Sequence, residues 1–224
     1  MPVFNEGDSV TKSVKRVLAL KLSGIKIELI IINDGSTDKT LAELRKIVDP
    51  RVTVISHKVN RGKGAAITTA LKRMMGDIAV IQDADMEYDP DDLKFLLAPI
   101  LDGRADVVFG SRFVGSGPHR VMYFWHYVAN KLITFIGDAL TNLNLTDIET
   151  GYKAFTREVI ENINLKEKGF SFDPEFTVKV AKKGFRIYEV GVSYAGRSYA
   201  EGKKISWRDG IMAVWTIIKY SLSK

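Results

Sequence analysis

Four short apolar runs constrain this chain more than any other feature in it. "KIELIII" at 26–32, "RVTVIS" at 51–56, "DIAVI" at 77–81 and "DVVF" at 106–109 are rich in β-branched residues and lack a helical period. Runs of this length and composition read as buried strands. Between them lie helix-like stretches, "KTLAELRKIV", "NRGKGAAITTALKRM" and "DDLKFLLAPIL". Strands alternating with helices predict a parallel α/β sheet covered on both faces. Such sheets bind ligands beyond the carboxyl ends of their strands. Polar loops fall at four of those ends, at 5–8, 33–38, 83–89 and 110–112.

The rest of the chain adds a second, less regular half. Residues 123–136 are aromatic and apolar and read as a helix, and "GFSFDPEFTVKVAKKG" holds another, entered through Pro174. "FRIYEVGVSY" alternates like a strand. In the last segment Trp207, Ile211, Val214, Trp215, Ile218 and Leu222 recur at helical spacing on one face. The chain opens on "MPVFNEGDSV", a strand end running into a helix, so a first strand is expected to be truncated. A length of 224 residues suits one domain. The absence of cysteine excludes disulfides and thiolate zinc sites. No run reaches the ~18 apolar residues of a membrane span, and no signal peptide is visible.

Charge is unevenly placed. The formal charge is +6, which biases the chain mildly toward anionic partners. Residues 197–224 carry six basic and two acidic residues, so the tail holds +4 of that total. Residues 83–106 carry eight acids against Lys94 and Arg104.

Asp83 and Asp85 leave the third strand two residues apart, a spacing that puts two carboxylates on one face. Close carboxylates repel unless a cation or proton relieves them, and a hard divalent ion bridging phosphates would do so. Spacing alone leaves a metal pair and a solvated turn equally open. Asp89, Asp91 and Asp92 around Pro90 read as a helix entry. "NRGKG" at 60–64 could meet a phosphate through backbone N–H groups and Lys63, or be an ordinary strand–helix turn. Asp34 could accept from a base or ribose, or cap a helix, a role open also to Ser36 or Thr37. Asp147 and Glu149 around a glycine turn read more readily as structure than as a substrate site. The cations of "RSYAEGKK" at 197–204 form either an anion clamp or a solvated loop. His57, His119 and His126 lack metal-ligand spacing and read as structural, and no G-x-S-x-G element supports a serine hydrolase.

Taken in order, "PVFNE", "NDGSTD", "NRGKGAA", "DADMEYDP", "GSRF", "DIETGYKAF" and "GRSYAEGKKISWRDG" resemble the motif series of the family 2 glycosyltransferases, over nearly the whole chain. The branch most similar is the one that moves a sugar from a nucleotide to a polyprenyl or dolichyl phosphate. The resemblance implies a GT-A fold: a nucleotide-binding, mostly parallel sheet flanked by helices (1–113), fused to an acceptor-binding half (114–206) and followed by an amphipathic helix (207–224).

It also implies residue roles. Pro2, Asn5 and Glu6 match the first nucleotide-contacting loop, Asp34 the acid that contacts the base, and Arg61 and Lys63 the loop beside the nucleotide. Asp83 and Asp85 match the D-x-D pair and, with Glu87, would hold Mg²⁺ or Mn²⁺, with Asp85 the direct ligand. Arg112 matches an arginine near the acceptor phosphate, and Glu149 lies in the segment facing the sugar. Arg197 and Lys203 or Lys204 match a basic loop that closes over phosphates.

The implied reaction is inverting transfer of a hexose from a nucleotide sugar, with the motifs leaning to UDP-glucose over GDP-mannose. A lipid phosphate acceptor, already anionic, would need no strong base. A soluble sugar or protein acceptor would need one near Asp147 or Glu149. A third reading is a nucleotide-sugar-binding module without turnover. The expected location is peripheral, at the cytoplasmic membrane face, with the tail helix as the only membrane contact and no nucleic-acid partner.

Overall fold

The structure, a computed structural model, describes residues 1–115, 120–197 and 207–223. Among the described residues seven strands form two sheets, one of three strands in the order β1-β2-β3 and one of four in the order β4-β6-β5-β7. In the first, β1 (Pro2–Val3), β2 (Leu29–Asn33) and β3 (Val52–Ser56) run parallel. β1 is two residues long, with Pro2 paired to Ile32 and Val3 to Asn33. β2 is buried along its whole length, as a central parallel strand should be. Its alternate residues serve two cores. Leu29 and Ile31 pack with Val10, Val14 and Val17 of α1 (Val10–Leu18). Ile30 and Ile32 pack with Ala66 of α3 (Lys63–Leu71).

The helix between β2 and β3 is shorter than its sequence suggests. α2 is only Thr40–Leu44; its N-cap, Lys39, makes no side-chain cap bond, and the Asp38 Oδ1 accepts from the Thr40 N–H at 2.9 Å. Ser36 and Thr37 are engaged instead by Asn5, which holds a left-handed φ of 52°. The loops after β1 and β2 are thereby tied together.

The second sheet departs from the expected parallel order. β5 (Val107–Ser111) and β7 (Ile187–Gly191) are parallel. β6 (Lys153–Thr156) runs antiparallel between β4 (Ile78–Val80) and β5. β6 was not anticipated: "YKAF" is short and carries a lysine within an apolar run. Val107, Phe109 and Phe155 face one core with Phe172 and Phe176 of α7 (Phe172–Lys182), while Val108 and Ala154 face another with Leu96 of α4 (Leu93–Leu101). This alternation is the period-two signature of strands buried on both faces.

As expected, Asp89 caps the helix entry, accepting from the Asp91 N–H at 3.0 Å ahead of a 3₁₀ turn at Pro90–Asp92. α6 (Arg157–Asn162) follows β6 directly.

α5 (Phe124–Thr141) and α8 (Trp207–Leu222) pack on each other and on α7. α8 buries Ala213, Thr216, Ile217 and Tyr220. The face read from sequence as its apolar stripe points largely outward: Trp207 is 73% and Trp215 59% exposed, Ile211 and Leu222 are exposed too, and Val214 and Ile218 are half-buried. α5 likewise exposes Phe124, Trp125 (76%), Leu132 and Phe135 (70%). The tail is therefore not the only exposed apolar helix. Among the described residues no helix is long and apolar enough to cross a membrane.

Candidate active site

The carboxyl ends of β1, β2, β4 and β5 open onto one cavity of about 410 Å³. Its walls include Pro2, Glu6, Asp34, Lys63, Asp83, Asp85, Glu87, Arg112, Glu149 and Arg197, so most of the residues singled out by sequence meet there. The antiparallel course of β6 explains how Glu149 joins them. A parallel strand offers the loop after it to this edge, whereas an antiparallel one offers the loop before it. Residues 147–151 therefore reach the cavity ahead of β6. The approach is close: a Cβ on Gly151 would lie 2.4 Å from the Asp83 Oδ2, so a side chain there would have to displace that carboxylate.

Two expected residues stand back from the cavity. Asn5 ties loops together, as above, and Arg61 has an exposed side chain and contributes a backbone N–H to Asp34. Lys203 lies outside the described residues, as does Lys204.

Asp34 is buried and heavily engaged. Its carboxylate accepts from the backbone N–H groups of Arg61 (3.0 Å) and Gly62 (2.7 Å) and lies 2.6 Å from the His57 Nδ1. It therefore caps no helix and instead holds the 60–62 loop. His57, read from sequence as merely structural, is what orients it, with its Nε2 on Thr69 Oγ1 at 3.0 Å. An isolated histidine carries no sequence signal for that role. The 60–64 loop also differs from expectation. The N–H groups of Gly64 and Ala65 donate to the carbonyls of Gly169 and Lys168, so with Arg61 and Gly62 held by Asp34 they already have partners. Gly62, at φ 95°, packs its Cα against the Lys168 carbonyl, where a Cβ would lie 2.4 Å away. What this loop offers a ligand is Lys63, whose Nζ lies 3.0 Å from Asp83 Oδ2. Burial works against the Lys63 ammonium, but Asp83 and Asp173 outweigh it and raise its pKa.

The acids after β4 divide by their partners. Asp83 is paired with Lys63. Glu87 accepts from Tyr194 Oη and from the Arg197 N–H, both at 2.8 Å. Among the described residues Asp85 accepts only a local bond, from the Glu87 N–H at 3.1 Å. Burial, then repulsion from Asp83 and Glu87, pushes its pKa up to about 7. Met86 between them sits at φ 65°, a conformation costly for a side chain of its size. Asp83, Asp85 and Glu87 thus do not form a ready-made three-carboxylate cage, and among the described residues no cluster of three metal-ligating side chains occurs. A single acid with few partners can still take part in a site that phosphates complete. Mg²⁺ and Mn²⁺ suit that arrangement, being held by one or two carboxylates together with substrate phosphates.

The cations differ in the same way. Arg112 is gripped by Asp147 through two fork bonds, Nε to Oδ2 at 2.6 Å and Nη2 to Oδ1 at 2.7 Å. Asp147 is fully buried and also accepts from Asn130. A carboxylate so enclosed and paired cannot act as a base toward a soluble acceptor, which removes Asp147 from that role. Arg197 reaches across the cavity mouth to Glu6 (3.1 and 2.7 Å) and to the Asp85 carbonyl (2.8 Å).

Glu149 lines the cavity with its buried Oε1 lacking a hydrogen-bond partner. Burial and Asp173 raise its pKa to about 7, against the pull of Lys153 and Arg112. Three contributors went unread in the sequence. Asp173 lines the cavity from the first turn of α7, and Tyr88 and Tyr194 form its aromatic wall. The Asp-Pro pair at 173–174 opens a helix and could have flagged Asp173.

Comparison with known proteins agrees with this geometry. The sequence model described as "Glycosyl transferase family 2" matches residues 1–163, and the chain belongs to that family. It is a glycosyltransferase by descent. Undecaprenyl-phosphate mannosyltransferase of Micrococcus luteus is 30% identical, over 91% of this chain and 85% of the relative. Polyprenol monophosphomannose synthase of Mycolicibacterium smegmatis is 29% identical, over 91% of this chain and 78% of the relative. Among solved structures, glucosyl-3-phosphoglycerate synthase from Mycobacterium tuberculosis, in complex with Mn²⁺, uridine diphosphate and phosphoglyceric acid, superposes with a TM-score of 0.76. It is 20% identical and covers all of this chain and 77% of that one. The fold is therefore the expected GT-A type.

Proposed function

We propose, from membership of the family, that the chain transfers a hexosyl group from a nucleoside diphosphate to a polyprenyl phosphate, inverting the anomeric carbon. The observation that carries this reading is the gathering, in one cavity, of an underpartnered acid (Asp85), an unpartnered acid (Glu149) and three cations (Lys63, Arg112, Arg197). The relatives named above as polyprenyl-phosphate mannosyltransferases support the acceptor class.

In the reaction an acceptor phosphate oxygen attacks the anomeric carbon and the bond from that carbon to the diphosphate breaks. The acceptor is anionic, so no proton need be removed. Asp85, with Asp83 and Glu87 nearby, would hold Mg²⁺ or Mn²⁺, which when bound neutralises the leaving diphosphate. Lys63 stands beside Asp83 on the same side. Arg112 and Arg197 offset repulsion between the two phosphate groups. Pro2, Glu6 and Asp34 line the nucleotide end, and Glu149 faces the hexosyl group. The exposed aromatic faces of α5 and α8 would rest in the headgroup region of a bilayer, placing the enzyme peripherally at the cytoplasmic face, where its lipid acceptor would enter.

Incubation with labelled UDP-glucose or GDP-mannose, a divalent cation and polyprenyl phosphate tests the proposal. A lipid-soluble labelled product is expected. Transfer only to a soluble phosphate ester would replace the acceptor, and nucleotide-sugar binding without any product would leave a binding module.

A further inference from the structure

Lys153 opens β6, and its side chain has no solvent exposure. A buried ammonium is costly unless all three of its N–H bonds find acceptors. Here they do: Asp173 Oδ1 at 2.6 Å, the Ile148 carbonyl at 3.2 Å, and the Thr150 carbonyl. Two of those acceptors are the carbonyls immediately before and after Glu149. The third belongs to the first turn of α7, which also lines the cavity.

One ammonium therefore clips both sides of the Glu149 backbone to α7. The next residue is held as well: the Gly151 N–H donates to Tyr88 Oη at 2.8 Å, and its Cα faces the Asp83 carboxylate. A buried carboxylate left to itself would turn to the nearest cation. Lys153 is close enough to act on Glu149 electrostatically, yet its three hydrogen bonds go elsewhere. Glu149 stays without a partner on its buried oxygen, and unpaired buried groups in native proteins call for a functional account.

We propose that Lys153 is a positioning residue: by holding the carbonyls of Ile148 and Thr150 against Asp173, it keeps Glu149 aimed into the cavity, where it accepts hydroxyls of the donor's hexosyl group. The inference rests on the reading of the cavity as a nucleotide-sugar site.

The experiment compares affinity for the nucleoside diphosphate with that for the corresponding nucleotide sugar by isothermal titration. Five proteins are needed: wild type, Glu149→Ala, Asp173→Asn, Lys153→Met in the Asp173→Asn background, which avoids stripping Asp173 of its counter-ion, and that double variant with Glu149→Ala added. Loss of a hydrogen bond to a charged group should cost the sugar-dependent part of affinity about tenfold or more. Lys153→Met should show that loss against its Asp173→Asn control, while affinity for the bare nucleoside diphosphate is unchanged. Adding Glu149→Ala should take away nothing further, because the two residues act through one contact.

Equal losses for nucleotide and nucleotide sugar, no loss at all, or additive losses would overturn the positioning role. If the Met variant fails to fold by far-UV circular dichroism, Lys153→Arg replaces it, since a planar guanidinium cannot place donors on the same three acceptors. The same selective loss is then required. Wild-type protein that binds neither UDP- nor GDP-sugars would instead overturn the reading of the cavity.

Discussion

Replacing Asp147 by Asn is the sharpest test of how this site is built. The Arg112 and Asp147 side chains are 9% and 0% exposed, and two fork bonds and a backbone bond join them. Burial opposes the Arg112 charge, and Asp147 more than restores it, holding the guanidinium firmly protonated. Asparagine has the same shape but one acceptor. Its amide nitrogen would face either Nη2 or Nε, setting donor against donor, and the arginine charge would stay buried without its counter-ion. Breaking one side of a buried pair costs roughly 3–5 kcal/mol. For a chain of this size that is a fall of about 6–20 °C in melting temperature, at roughly 2–4 °C per kcal/mol. Thermal and urea melts by circular dichroism would measure it. The double variant Arg112→Met/Asp147→Leu should recover most of the stability, since an apolar pair can replace a buried ionic one, yet should not transfer sugar to lipid phosphate. A loss below about 1 kcal/mol in Asp147→Asn would refute the argument that the pair is closed to water.

Other expectations follow from the same geometry. Asp85→Ala should abolish Mn²⁺ binding in the presence of UDP or GDP, read by electron paramagnetic resonance, with an unchanged circular dichroism spectrum; unaltered Mn²⁺ affinity would remove the metal role. Glu149 has its pKa raised from 4.5 to about 7, so its contribution to stability is fully present below about pH 4.5 and is lost as pH rises through 7. Glu149→Gln should therefore melt like wild type at pH 4 and be more stable at pH 8, by up to about 3 kcal/mol; the opposite trend would refute the assignment. Gly151→Ala should push Asp83 away from Lys63 and weaken nucleotide-sugar binding, and unchanged titration would show that the loop yields. Trp125→Ser/Phe135→Ser and Trp207→Ser/Trp215→Ser should each lower partitioning onto anionic vesicles by about tenfold or more, with sedimentation as the assay; retention by both would exclude this face.

Much of the fold was legible because its signals are local. The strands at 29–33, 52–56, 78–80 and 107–111 lie within the runs predicted for them or overrun them by no more than two residues, since an all-apolar β-branched stretch has few other places to go. The loops at the carboxyl ends of four strands do line one cavity, as parallel-sheet topology requires. Less legible was α2, predicted over about ten residues and ended after five: its core contacts are Thr40 and Leu44, and nothing beyond them is buried in the helix.

What the sequence determined by itself was the alternating strands and helices of the first half, the edge at which chemistry gathers and, through the ordered motifs, the family. What only the tertiary structure decided was which groups are free. The run direction of β6 depends on the strands beside it, not on its own four residues, and that direction brings Glu149 to the cavity. Arg112 meets Asp147 across 35 positions, and Arg197 meets Glu6 across 191. Pairing and burial at such separations have no local periodicity to announce them. Yet they separate the acids and cations already satisfied from Asp85 and Glu149, the two carboxylates least engaged among those that line the cavity.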